Sequence, residues 1–136
     1  EDKERRTDEI EEQAMHVAMA HERAQGATVR DVSTPEKARA AGLSDWPGFD
    51  VLAERPSGDV RGIEVKGRAR AGEIRLSENE WRAAITHRDD FWLYVVYDCA
   101  TANPRLLRIQ NPHARLVATP TGDVVIDEAE IFQNAT

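Results

Sequence analysis

Seven consecutive residues, Phe91-Trp92-Leu93-Tyr94-Val95-Val96-Tyr97, carry no charge. A strand points alternate side chains to opposite faces, so a run that is apolar or aromatic at every position has to be covered on both sides. Arg105 to Gln110 is its expected partner, after a turn at Thr101 to Pro104. The prediction is an α/β domain with a mixed central sheet flanked by helices. A chain of 136 residues with 40% hydrophobic content holds one domain with a real core and is too short for two of ordinary size. Residues 1–9 and 133–136 read as terminal extensions of that single domain. No apolar run approaches membrane-spanning length, no basic-then-apolar leader is present, and the lone Cys99 excludes an internal disulfide framework. A cytoplasmic setting without a membrane is expected. The chain begins at Glu1 in a charged, helix-prone run, which reads as a module excised from a longer protein.

The chemistry concentrates between Gly48 and Trp81. Ile63-Glu64-Val65-Lys66 alternates as a strand, with Ile63 and Val65 inward and Glu64 and Lys66 emerging together. Phe49-Asp50-Val51-Leu52 reads as a second strand, and Arg55-Pro56-Ser57-Gly58-Asp59 as the turn between them. A three-residue loop, with Pro56 and Ser57 in a type I turn and Gly58 left-handed, sets Arg55 against Asp59, Val51 against Ile63, Phe49 against Val65 and Asp50 against Glu64. Phe49, Val51, Ile63 and Val65 then share the buried face, and Asp50, Glu64 and Lys66 the other. A two-residue Ser57-Gly58 loop shifts the pairing by one and separates the two acids.

Two facing carboxylates beside a lysine suit a hard cation. Mg²⁺ or Mn²⁺ takes oxygen ligands, keeps several waters and is held by one or two carboxylates plus phosphate oxygens. Asp50 and Glu64 are the expected ligands, with the Val65 carbonyl as a further oxygen. Lys66 is placed to orient a water and to balance charge on a phosphate. The predicted reaction is phosphodiester hydrolysis. The competing reading treats Asp50, Glu64 and Lys66 as a surface ion-pair cluster of small energetic weight.

Elsewhere, residues 8 to 25 show helical spacing closed by Gly26, with Glu22 at the edge of the buried face in the last turn. Glu22 is either an exposed helical glutamate or an acid that positions a water or a second metal, and His21 beside it is a packing residue. Ala27 to Val32 alternates as a strand, and Thr34-Pro35 starts a short helix closed by Gly42. Trp46, in the following loop, packs or stacks on a base, and packing is favoured. Glu73 to Leu76 is a further strand. Ser77 followed three residues later by Glu80 is a capping-box pattern for a helix running to His87. Glu80 therefore either caps that helix or supports the site from behind. Asn111-Pro112 breaks the strand, Leu116-Val117 adds apolar packing, and Asp123 to Phe132 adds a short element. No histidine shares a ligand spacing with cysteine or another histidine, and no Gly-rich phosphate loop occurs.

Glu22-Arg23…Gly26, Gly48-Phe49-Asp50, Ile63-Glu64-Val65-Lys66-Gly67, Leu76 to Trp81 and Tyr94-Val95-Val96, in that order, resemble the NO VEIN-type C-terminal domain. The pair formed by Asp50 and Glu64-Val65-Lys66 is also similar to the D…(D/E)XK core of the PD-(D/E)XK nuclease superfamily, with Phe49 where the name motif has proline. The resemblance, over residues 10–118, implies a restriction-endonuclease-like core, Asp50 and Glu64 on a metal, Lys66 as catalytic lysine and Glu22 as an auxiliary acid. It implies DNA as substrate, and an attached helicase or other ATPase, in some relatives tied to antiviral defence. An inactive nuclease-fold module that binds nucleic acid or a protein is the alternative.

The net charge of −7 is distributed unevenly: residues 1–12 and 123–136 each carry about −4, leaving about +1 between them. Arg61, Arg68, Arg70 and Arg75 fall near the proposed site in sequence and are the expected phosphate contacts. A solvated strand and loop surface is the competing account of them.

Overall fold

A computed structural model describes residues 2–116 and 118–136. The hairpin sets the frame. β2 (Val51–Glu54) and β3 (Val60–Gly67) pair antiparallel with Val51 opposite Ile63 and Glu54 opposite Val60. The Arg55 N–H donates to the Asp59 carbonyl and the Gly58 N–H to the Arg55 carbonyl, with Gly58 at φ +92°. This is the three-residue loop, so the register that sets Asp50 against Glu64 is the one adopted.

β3 then pairs parallel with β5 (Phe91–Tyr97), Gly62 opposite Phe91 and Lys66 opposite Val95, and β5 pairs antiparallel with β6 (Arg105–Gln110). With β1 (Thr28–Asp31) antiparallel to β2, the five-stranded mixed sheet runs β1-β2-β3-β5-β6. Every residue of β5 is buried, as its unbroken apolar sequence requires. Trp92, Tyr94 and Val96 meet Ala14 and Ala18 of α1 (Asp2–Ala24), together with Val51, Ile63 and Val65. Leu93, Val95 and Tyr97 face the opposite layer.

That layer contains a second sheet. β4 (Ile74–Leu76) pairs with β8 (Asp123–Ile126), which pairs with β7 (Thr119–Thr121). Ile74, Leu76, Val124 and Ile126 close on Leu93, Val95, Leu107 and Ile109, joined by Ile131 of α5 (Glu128–Asn134). Leu116 belongs to the same core, following α4 (Pro112–Arg115), while Val117 lies outside the described residues. α2 (Pro35–Ala40) is capped by Thr34, and α3 (Glu78–His87) carries the full capping box.

One expected face is corrected. Phe49 does not join Val51, Ile63 and Val65; it packs with Ala83, Ala84 and Phe91 on the α3 side. The ladder ends at Val51, and the Asp50 N–H donates to the Ile63 carbonyl, so the chain leaves the pleat before Phe49. Gly62 makes room for the ring, since a Cβ there would stand 2.9 Å from it.

Candidate active site

Unequal strand length creates the site. β2 has four residues and β3 has eight, so Glu64 to Gly67 run past the end of β2 with one edge unpaired. A bare N–H on that edge needs an acceptor, and Asp50 supplies it: its Oδ2 accepts from the Val65 N–H at 3.0 Å. The Asp50 backbone is held on both sides, donating to the Ile63 carbonyl at 2.9 Å and accepting from the Val32 N–H at 2.8 Å. In an extended residue the N–H and C=O point the same way, so the Val65 carbonyl faces the same open edge.

Glu64 is 2% exposed and lies against Asp50. Burial, followed by the charges of Asp50 and Glu80, pushes the Glu64 carboxyl well above its usual range, and burial raises Asp50 too, against the Val65 N–H that favours its ionised form. Lys66 reaches back between two acids, 3.4 Å from Glu64 and 2.9 Å from Glu80. Burial alone would lower its pKa, but Glu64 and Glu80 outweigh that and keep the ammonium charged. For Glu80 likewise, burial is outweighed by Lys66 and the Ser77 N–H, which hold its carboxylate low. Glu80 therefore caps α3 and grips Lys66 with the same oxygen, Oε1.

These groups line a cleft of about 690 Å³ together with Asp8, Glu11 and Glu12 of the first half of α1, and with Asp31, Ser33 and Lys37, from the end of β1 to the first turn of α2. Lys37 is already paired with Asp31 at 3.0 Å. The cleft is thus acid-rich, a feature for which the scattered positions of these side chains gave no local signal. Among the described residues no three His, Cys, Asp or Glu side chains converge into a closed metal cage. What the site offers is the Asp50 and Glu64 carboxylates beside an unpaired carbonyl edge. That donor set fits Mg²⁺ or Mn²⁺, which leave most positions to water and phosphate oxygens.

Glu22 and Arg61 are placed elsewhere. Glu22 is fully buried under the hairpin turn, accepting two hydrogen bonds from Arg55 at 3.0 and 2.8 Å and a third from the Tyr94 hydroxyl. Burial works to raise its pKa, but Arg55 and Tyr94 prevail and hold the carboxyl below its ordinary value. Arg61 is buried too, with its guanidinium 3.8 Å over the Trp92 ring, and bonds Asp59 at 2.8 Å and the Tyr94 hydroxyl at 2.9 Å. Neither lines the cleft. Strand parity is the reason for Arg61: it shares the α1 face with Ile63 and Val65, opposite Glu64 and Lys66.

Arg68, Arg70 and Arg75 are exposed, but Arg68 bonds the Glu73 carbonyl and Arg75 pairs with Glu73 at 3.2 Å. None of them lines the cleft, so the expected basic cluster around the carboxylates does not form. Among the described residues no helix is long and apolar enough to cross a membrane.

The model of the family described as Protein NO VEIN, C-terminal, matches residues 10–109, a span that runs from the first half of α1 through β6 and includes Asp50, Glu64, Lys66 and Glu80. No curated protein and no solved structure matches the chain.

Proposed function

We propose, from the premise that this chain belongs to the NO VEIN C-terminal family, that it is a metal-dependent nuclease module of PD-(D/E)XK type acting on DNA. The observation that carries the reading is the meeting of Asp50, Glu64 and Lys66 where β3 outruns β2. A bound Mg²⁺ or Mn²⁺ would supply Lewis acidity toward a phosphate oxygen and lower the pKa of water. Asp50 and Glu64 would hold it, with the Val65 carbonyl on the same edge. Lys66, kept protonated by Glu64 and Glu80, donates hydrogen bonds that orient the attacking water and offset the negative charge that grows on the phosphate as the P–O bond breaks. Glu80 positions Lys66 from the first turn of α3.

The acid-rich cleft wall and the absence of arginines at its rim, among the described residues, fit a module that relies on a larger assembly to deliver its substrate. A covalently attached or associated helicase or ATPase, in a cytoplasmic defence or DNA-processing protein, would do this. The second reading is a nuclease fold that binds nucleic acid or a partner protein without cutting, and of these two ligands the acidic wall favours the protein.

Cleavage of linear and circular DNA in Mg²⁺ or Mn²⁺, compared between the wild type and Lys66→Ala, tests the proposal. Cutting by the wild type that falls at least about 100-fold in the variant and stops in chelator is the expected result. Equal cutting by both proteins would remove Lys66 from the chemistry, and no cutting by either would leave the binding module.

A further inference from the structure

Trp46 is 71% exposed, against an expectation of packing. Its loop is nonetheless fixed at both ends. The Leu43 N–H donates to the Ala38 carbonyl, closing α2, and Arg39 pairs with Asp45 at 2.9 Å. At the other end Gly48, at φ +86°, lies so close to α3 that a Cβ would stand 2.5 Å from that of Ala83 and 3.1 Å from the Asn79 carbonyl oxygen. Only glycine suits that approach and that backbone. The indole is therefore held out in water by a tethered loop, at the mouth of a second cleft of about 470 Å³. Pro47, Phe49 and Asn79 line this cleft with Trp46, and it reaches Asp50, Glu64 and Glu80, the acids of the proposed nuclease site.

We infer that Trp46 is the stacking platform of a nucleobase subsite, which takes an unpaired base adjoining the phosphate at Asp50 and Glu64. The position of that phosphate rests on the nuclease reading. An exposed aromatic face binds bases through π-stacking without needing charge, and the charged residues that line this cleft, Asp45, Asp50, Glu64 and Glu80, are all acids that would repel a phosphate unless a bound cation stood between. A neutral ring is what this wall can offer a nucleic acid. A base inside a duplex has both faces stacked already, so the ligand is a single strand, a frayed end or an extruded nucleotide. The Asn79 side-chain amide, which lines the same cleft beside Gly48, offers a donor and an acceptor to the base edge.

Fluorescence anisotropy of a labelled single-stranded oligodeoxynucleotide, its ribonucleotide counterpart and a blunt duplex tests the subsite. The full chain is used in Mg²⁺, with Lys66→Ala in the background so that the strand survives. Trp46→Ala is expected to weaken single-strand binding by about tenfold or more, Trp46→Phe to recover most of it, and duplex binding to stay unchanged. Loss on the DNA strand, the RNA strand or both assigns the sugar. Single-strand affinity that is unaltered in Trp46→Ala, equal losses on single strand and duplex, or no single-strand binding by the parent would overturn the proposal. Because the indole is exposed, thermal midpoints of the variants should match the parent's. Cleavage with Lys66 restored separates the two claims: Trp46-dependent binding without cleavage removes only the nuclease, and cleavage without that dependence removes only the subsite.

Discussion

Glu22 and Glu64 are both buried carboxylates, and their surroundings give them opposite tasks. Glu22 has two guanidinium groups and a phenol around it; Glu64 has two other acids and one lysine. A carboxylate whose partners satisfy it is structural, and breaking such a set strands the remaining charges. Glu22→Gln should therefore cost about 3–5 kcal/mol at neutral pH, read from urea denaturation. The pH dependence follows from the lowered Glu22 pKa: the stabilisation is complete above the ordinary glutamate range and is lost as pH falls through the folded value. The gap between wild type and variant should narrow in acid, and a gap that is constant or grows there would exclude the ion pair as its source. The helical spacing left Glu22 either exposed or at the edge of the buried face, whereas it is fully buried; its partners Arg55 and Tyr94 lie 33 and 72 residues away, and no local pattern reports a partner at that distance.

At the level of elements, the hairpin was legible because turn chemistry fixes register locally. Gly58 and Pro56 determined that Asp50 would meet Glu64. The difference in length between β2 and β3 was not legible, because a strand ends where its partner stops bonding rather than where its own propensity fails. Phe49 shows the consequence, crossing to the α3 side once the ladder stops. The second sheet escaped for a similar reason: β4 was legible as a strand over Glu73 to Leu76, but its partner β8 lies about fifty residues on, and no local pattern reports that pairing. α3 was the converse case, its cap written in Ser77 and Glu80. Because the Glu80 oxygen that takes the Ser77 N–H also meets Lys66, the cap and the lysine are coupled. Ser77→Ala leaves that N–H in place but removes the hydroxyl that accepts from the Glu80 N–H, loosening the first turn that carries Glu80; it should cost about 1 kcal/mol and lower any Lys66-dependent activity more than that loss of folded protein explains. A fall in thermal midpoint with unchanged turnover per folded molecule would show that the cap serves α3 alone.

For the whole molecule the question is charge. The chain is acidic overall, at its ends and in the cleft, and cations at the cleft are limited, among its lining residues, to Lys37 and Lys66. Nucleic acid bound without a divalent ion should be no tighter than the non-specific range of about 10⁻⁴ to 10⁻⁶ M, with a shallow dependence on salt, since few counterions are released. Anisotropy titrations across salt concentrations, with and without Mg²⁺, measure this; tight binding in chelator would place the contact surface away from the cleft. The end of β2 and the overhang of β3 are proposed to form one cation site. Calorimetric titration of Mn²⁺ into the wild type and Glu64→Gln addresses it without requiring cleavage. The wild type should bind Mn²⁺, and the affinity should weaken at least about tenfold when one carboxylate ligand is neutralised; no binding, or equal binding by both proteins, would show that these carboxylates hold no cation.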